Sequence, residues 1–65
     1  MKRGDKVIIT ASDKALENVG VDYLKEKFGV ITGFYNTGYI ELEVMTIFND
    51  EPQKIDVPKY FVELI

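Results

Sequence analysis

Between Tyr39 and Phe48 the chain alternates apolar and polar residues, and this alternation limits the fold more than any other feature of its 65 residues. Ile40, Leu42 and Val44 fall on one side, while Tyr39, Glu41 and Glu43 fall on the other. A period of two belongs to a β-strand with one dry and one wet face, because successive side chains leave the backbone in opposite directions. Upstream, Gly29-Val30-Ile31-Thr32-Gly33-Phe34-Tyr35 forms a second arm, and Asn36-Thr37-Gly38 lies between the two. That tripeptide suits a short hairpin loop, with Gly38 placed to take the left-handed conformation of a bulged turn. An antiparallel hairpin of residues 29–35 and 39–48 is the expected centre of the fold.

The remaining segments read as partners for this hairpin. Lys6-Val7-Ile8-Ile9-Thr10 is rich in β-branched residues and follows the turn-prone Arg3-Gly4-Asp5, so it is expected to be the first strand. Val7 and Ile9 would face one side, with partial cover for Ile8 on the other. From Ala11 to Phe28 the pattern becomes helical. Ser12 and Asp13 are candidate N-caps, Ala15, Leu16, Val19 and Tyr23 recur at spacings of three and four, and Leu24 and Phe28 form a second pair. Gly20 interrupts this stretch, and Gly29 stands where a helix C-terminal glycine belongs. A helix is expected over 13–19 or 22–28, or over both with a break at Gly20. So short a helix is marginal alone and needs Leu16, Tyr23, Leu24 or Phe28 docked on the sheet. Asn49-Asp50-Glu51-Pro52 is expected to turn, residues 53–57 to form a strand with Ile55 and Val57 inward, and Pro58 to end it. Phe61 to Ile65 supplies a final short strand.

A chain of 65 residues is one domain, spanning 1–65. It buries only about 60% of the surface its unfolded form exposes. A flat five-stranded sheet with one wet face would leave its edges open, whereas curling the sheet into a small barrel hides them. With zero cysteines, neither disulfides nor thiolate–metal sites can hold it. The opening residues lack the apolar stretch of a signal peptide, and no apolar run approaches the ~20 residues of a membrane helix. The chain is therefore expected to be soluble, cytoplasmic and monomeric, with no membrane partner.

Strand, long excursion, three-strand meander, short 3₁₀ turn and final strand is an order that resembles the SH3-like barrel. The expected fold is thus mainly β: a five-stranded antiparallel SH3-like barrel with a short helix inserted between the first and second strands. Pro58-Lys59-Tyr60-Phe61-Val62 resembles the proline-x-x-tyrosine-valine stretch of SH3 domains, with Phe61 at the tyrosine position. Gly4-Asp5-Lys6-Val7-Ile8, together with Gly29-Val30-Ile31, is similar to the opening and the glycine–valine step of KOW-type barrels from ribosomal and transcription proteins. In length and layout the chain also resembles small prophage proteins of Bacillus with a helix between two of five strands, which implies a phage- or prophage-related origin. Departures from these families narrow the functional options. Thr10-Ala11-Ser12-Asp13-Lys14 replaces the aromatic stretch of a peptide-binding SH3 domain, and the chain has no tryptophan. The aromatic groove that docks polyproline helices is therefore largely missing.

Charge and chemistry exclude further classes. The net charge is −3, with six basic against five acidic residues over 1–28 and two against six over 29–65. An acidic domain lacks the basic stripe that phosphate backbones require, so nucleic acid is a disfavoured partner. The KOW-like alternative would rest on Lys2, Arg3, Lys6, Lys25 and Lys27 converging on one face. Absence of histidine and cysteine removes the commonest general base, the best thiol nucleophile and the usual zinc ligands. Glu41 and Glu43 share a strand face ~7 Å apart, but glycosidase chemistry needs a deep cleft around such a pair. Asn49-Asp50-Glu51 lacks the spacing of a twelve-residue calcium loop. The reading is a non-enzyme with no cofactor and no metal. Eight aromatics remain. Tyr35 and Tyr39 flank the hairpin loop, and in a barrel that loop would approach Pro58, Tyr60 and the helical excursion that carries Tyr23. Tyr23, Tyr35, Tyr39, Pro58, Tyr60 and Phe61 are accordingly the candidate contact residues for a protein partner whose identity the sequence leaves open.

Overall fold

The computed structural model describes residues 1–45 and 52–65. Five strands form one antiparallel sheet: β1 (Lys6–Ile9), β2 (Phe28–Phe34), β3 (Tyr39–Met45), β4 (Pro52–Pro58) and β5 (Val62–Leu64). A single six-residue helix, α1 (Asp13–Asn18), lies between β1 and β2, followed by a first 3₁₀ turn (Asp22–Leu24). A second 3₁₀ turn (Lys59–Phe61) joins β4 to β5. The fold is mainly β, with the helix inserted where the sequence placed it. Residues 46–48 of the expected second hairpin arm, and the turn and calcium reading at 49–51, lie outside the described residues.

The order β4-β3-β2-β1-β5 brings the last strand back beside the first. Val7 pairs with Leu64 and Ile9 with Val62 on one flank of β1, and Val7 pairs with Gly29 on the other. The sheet remains open, with β4 and β5 as its edges. Both edges are blunted in ways that discourage further pairing: β4 carries a proline at each end, and β5 has only three residues.

One dry face serves all five strands. Val7, Ile9, Ile31, Ile40, Leu42, Val44, Ile55, Val57 and Val62 join Leu16, Leu24 and Phe61 in one buried cluster. The alternation read from 39–48 is realised over β3: Ile40, Leu42 and Val44 are buried, Tyr39 is exposed, and Glu41 and Glu43 are half-buried. Removing these apolar side chains from water at about 25 cal/mol per Å² is the main favourable term available to the fold. A bulge between Ile31 and Gly33 sets two residues of β2 against Glu41 and shifts the parity beyond it. Phe34 consequently pairs with Ile40, although the end of the hairpin leaves it exposed. Gly38 takes φ +87°, as the loop requires.

The helical segment differs from its sequence pattern after Asn18. Ser12 caps α1 by accepting from the N–H of Ala15. The helix ends in a Schellman arrangement: Val21 N–H donates to Leu16 C=O at 2.9 Å, and Gly20 N–H donates to Glu17 C=O at 3.0 Å. The interruption at Gly20, with φ +75°, is thus the C-terminal glycine that the sequence reading assigned to Gly29. A second helix over 22–28 does not form beyond one 3₁₀ turn. Glu26 adopts φ +62°, its N–H donates to Ile9 C=O, and Ile9 N–H donates to Lys27 C=O. These bonds draw the chain into the sheet, and Phe28 becomes the first residue of β2, not a helical residue docked on the core. Gly29 is an interior strand residue for a different reason: a Cβ there would meet Val44 Cγ2 at 3.1 Å and the Glu43 carbonyl oxygen at 3.3 Å.

A left-handed glutamate costs roughly 1–2 kcal/mol of backbone strain. Glu26→Gly is expected to raise stability by about 0.5–1 kcal/mol, after allowing for the added freedom of the unfolded chain. Glu26→Ala keeps the strain and should bring no gain. Urea midpoints measured with unchanged m-values distinguish the two.

Candidate functional site

Backbone bonds gather one end of the sheet around the hairpin loop. Tyr35 N–H donates to Tyr39 C=O at 2.9 Å, and Lys59 N–H donates to Gly38 C=O at 3.0 Å. Tyr39 is the register partner of Pro58, so β3, β4 and the second 3₁₀ turn meet there. Tyr60 is 79% exposed, and its ring meets Phe61 edge-on, with centroids 5.2 Å apart at 70°. Tyr39 is also exposed. Pro58 and Phe61 are buried, so they form the base on which the two tyrosines stand and are not themselves contact surface. Tyr23 lies elsewhere. Its hydroxyl donates to Gln53 Oε1 at 3.0 Å, and Gln53 is about 17 Å of strand rise away from Pro58. The structure therefore brings together Tyr35, Tyr39, Pro58, Tyr60 and Phe61 from the candidate set, and separates Tyr23 from them.

Tyr35 spends its hydroxyl on the wet face of the sheet. It lies 3.0 Å from Asp56 Oδ1 and 3.3 Å from Glu41 Oε2, two carboxylates set opposite each other in the β3–β4 register. A phenol has one proton to give, so it bridges a like-charged pair that would otherwise repel. Glu41 gains further partners: Thr32 Oγ1 donates to its Oε1 at 2.8 Å, and Lys54 Nζ stands 4.0 Å away. The hydrogen bond to Asp56, then burial, then the charges of Asp56 and Glu41 hold the Tyr35 phenol above its usual 10.0.

The other carboxylate of the sequence-predicted pair, Glu43, has different neighbours. It lines a groove of about 390 Å³ with Lys6, Phe28, Gly29, Val30 and Ile65, and Glu41 is not among the residues of that groove. The two acids share a face without sharing an enclosure. The five cations of the nucleic-acid alternative fall at the two ends of β1. Lys25 Nζ pairs with Asp13 at 3.2 Å and donates to Ala11 C=O. Lys2 and Arg3 precede β1, Lys6 opens it, and the carbonyl of Lys27 accepts from Ile9 N–H at its far end.

Sequence reasoning overlooked the apolar groove itself. Phe28 and Ile65 are 62% and 71% exposed, with Val30 beside them. The available signal was parity: in Phe28-Gly29-Val30-Ile31 apolar residues occupy both phases of the strand, so one set must face outward. Assigning Phe28 to a helix concealed it. Among the described residues, no helix is long and apolar enough to cross a membrane.

The bridging phenol has a pH consequence. A phenol whose folded pKa is raised lends stability that is fully present below its unfolded value near 10 and is lost as pH rises through the folded value. Ultraviolet titration should therefore show the Tyr35 phenol ionising above its usual value of 10.0. Asp56→Asn should bring that transition back toward the usual value, and Tyr35→Phe should delete it.

Comparison of the chain with protein-family models, with characterised proteins and with solved structures found no match.

Proposed function

We propose that this chain is a non-catalytic interaction module that binds another protein through the hairpin end, with Tyr39 and Tyr60 as its contact residues. The observation that carries this reading is a pair of exposed tyrosines on a base of buried Pro58 and Phe61, tied to the loop by the Lys59–Gly38 bond. Such rings offer large contact area at low entropic cost, since the backbone beneath them is already fixed. Tyrosine suits this position because its ring can be covered while its hydroxyl keeps a polar partner. Tyr35 belongs to the same end, but its hydroxyl is committed to Asp56 and Glu41, which makes it a support for the loop. The resemblance to prophage barrels favours a partner from a phage or its bacterial host.

Affinity capture from a lysate of the source cell tests the assignment. Tyr39→Ser and Tyr60→Ser are each expected to weaken retention of a specific partner by about tenfold or more, the scale of an interface anchor worth at least about 1.4 kcal/mol. Tyr35→Phe, which keeps the ring, should retain it. A partner list identical for the wild type and both serine variants would overturn the proposed surface.

A further inference from the structure

The groove on the outer face lies across β1, β2 and β3, away from the tyrosines of the hairpin end. The register aligns its residues in a row: Val30 pairs with Lys6 on one side and with Glu43 on the other. Ile65 joins this row from the end of β5, donating its N–H to Lys6 C=O at 3.2 Å. Phe28, two residues along β2, adds a largely exposed ring. The floor is apolar and carries one cation and one anion on opposite flanks, each about 5 Å from the central strand by strand spacing. Among the described residues neither flank charge has an ion pair within the chain: Lys54, the register partner of Glu43, stands nearest Glu41 instead.

Such an arrangement is complementary to itself. Consider a two-fold axis running along β2 between two facing sheets. It carries each Val30 and Phe28 onto its own copy, and it carries Lys6 onto the side of the facing Glu43. Both flank charges are then neutralised at once, and the apolar floor is covered at the ~10 Å spacing of packed sheets. A partner of one charge sign would satisfy one flank and repel the other. We propose that this groove is a self-association site, in which two copies of the chain pair face to face with Lys6 of each against Glu43 of the other, with Phe28 and Val30 between these charges and Ile65 flanking each Lys6 on its outer side.

The interface is small, and each copy carries a net charge of −3, so a reversible dimer forming at roughly 10 µM to 1 mM is expected. Sedimentation equilibrium of the full chain at about 0.15 M salt, where surface charges are screened beyond about 8 Å, tests it. Lys6→Glu and Glu43→Lys should each reduce dimerisation by about tenfold or more, because each sets like charges face to face. An equimolar mixture of these two variants should form a heterodimer as readily as the wild type dimerises, since mixing restores both opposite pairs. Val30→Lys should abolish the dimer while circular dichroism shows the fold kept. A chain monomeric at about 1 mM, the weak end of the expected range, would overturn the proposal, as would a dimer indifferent to both single substitutions, or one that mixing fails to restore. Tyr60→Ser should leave the dimer intact, which separates this site from the hairpin end.

Discussion

One-sided burial governs this molecule. Five strands deliver their inward side chains to a single cluster, and the helical excursion supplies Leu16 and Leu24 as its cover, with no second sheet among the described residues. Because the side-chain period is two, a slip of one residue in β3 would bring Glu41 and Glu43 to the core and Ile40, Leu42 and Val44 to water. Three buried aliphatics against two buried carboxylates is a difference of many kcal/mol, which fixes the register more firmly than the hydrogen bonds themselves do. Everything at the surface inherits its position from that choice. Tyr39, Glu41 and Glu43 face outward because their neighbours face in.

The strands were legible in the residues for the same reason. Alternation in 39–45, β-branching in 6–9 and the inward pair Ile55 and Val57 each reflect a local pattern that burial then rewards. The excursion was less legible because its decisive interactions are not local. Leu24 and Phe28 have helical spacing, yet the carbonyl and amide of Ile9 compete for the same backbone and hold Glu26 and Lys27 beside β1. Tertiary pairing outweighs a propensity that was weak to begin with. Gly20 and Gly29 divide their parts on similar grounds: Gly20 closes the helix, while Gly29 lets β2 pass close to β3.

At the candidate surface, sequence reading identified residue types better than their duties. Tyr39 and Tyr60 emerge on the outside, whereas Pro58 and Phe61, which share the SH3-like stretch with Tyr60, sit beneath them. Tyr35 was chosen for its ring, but its hydroxyl decides its place, bridging two acids on neighbouring strands. No one-dimensional pattern could pair Glu41 with Asp56, since that proximity is created by the β3–β4 register alone. The apolar groove is a similar case: its residues come from β1, β2, β3 and the end of β5, and only the sheet order makes them neighbours.

The return of β5 to β1 has a mechanical corollary. Ile65 ends beside Lys6, so both strands of the sheet's outermost ladder leave from one corner. Tension applied through these two residues would pull the ladder open like a zipper, loading its bonds one after another instead of sharing the force among them. Tension applied between Lys6 and the opposite corner at Val62 would instead slide the two strands lengthwise and load every bond together. The same domain would thus be soft along one direction and stiff along another, with no change in its resting stability.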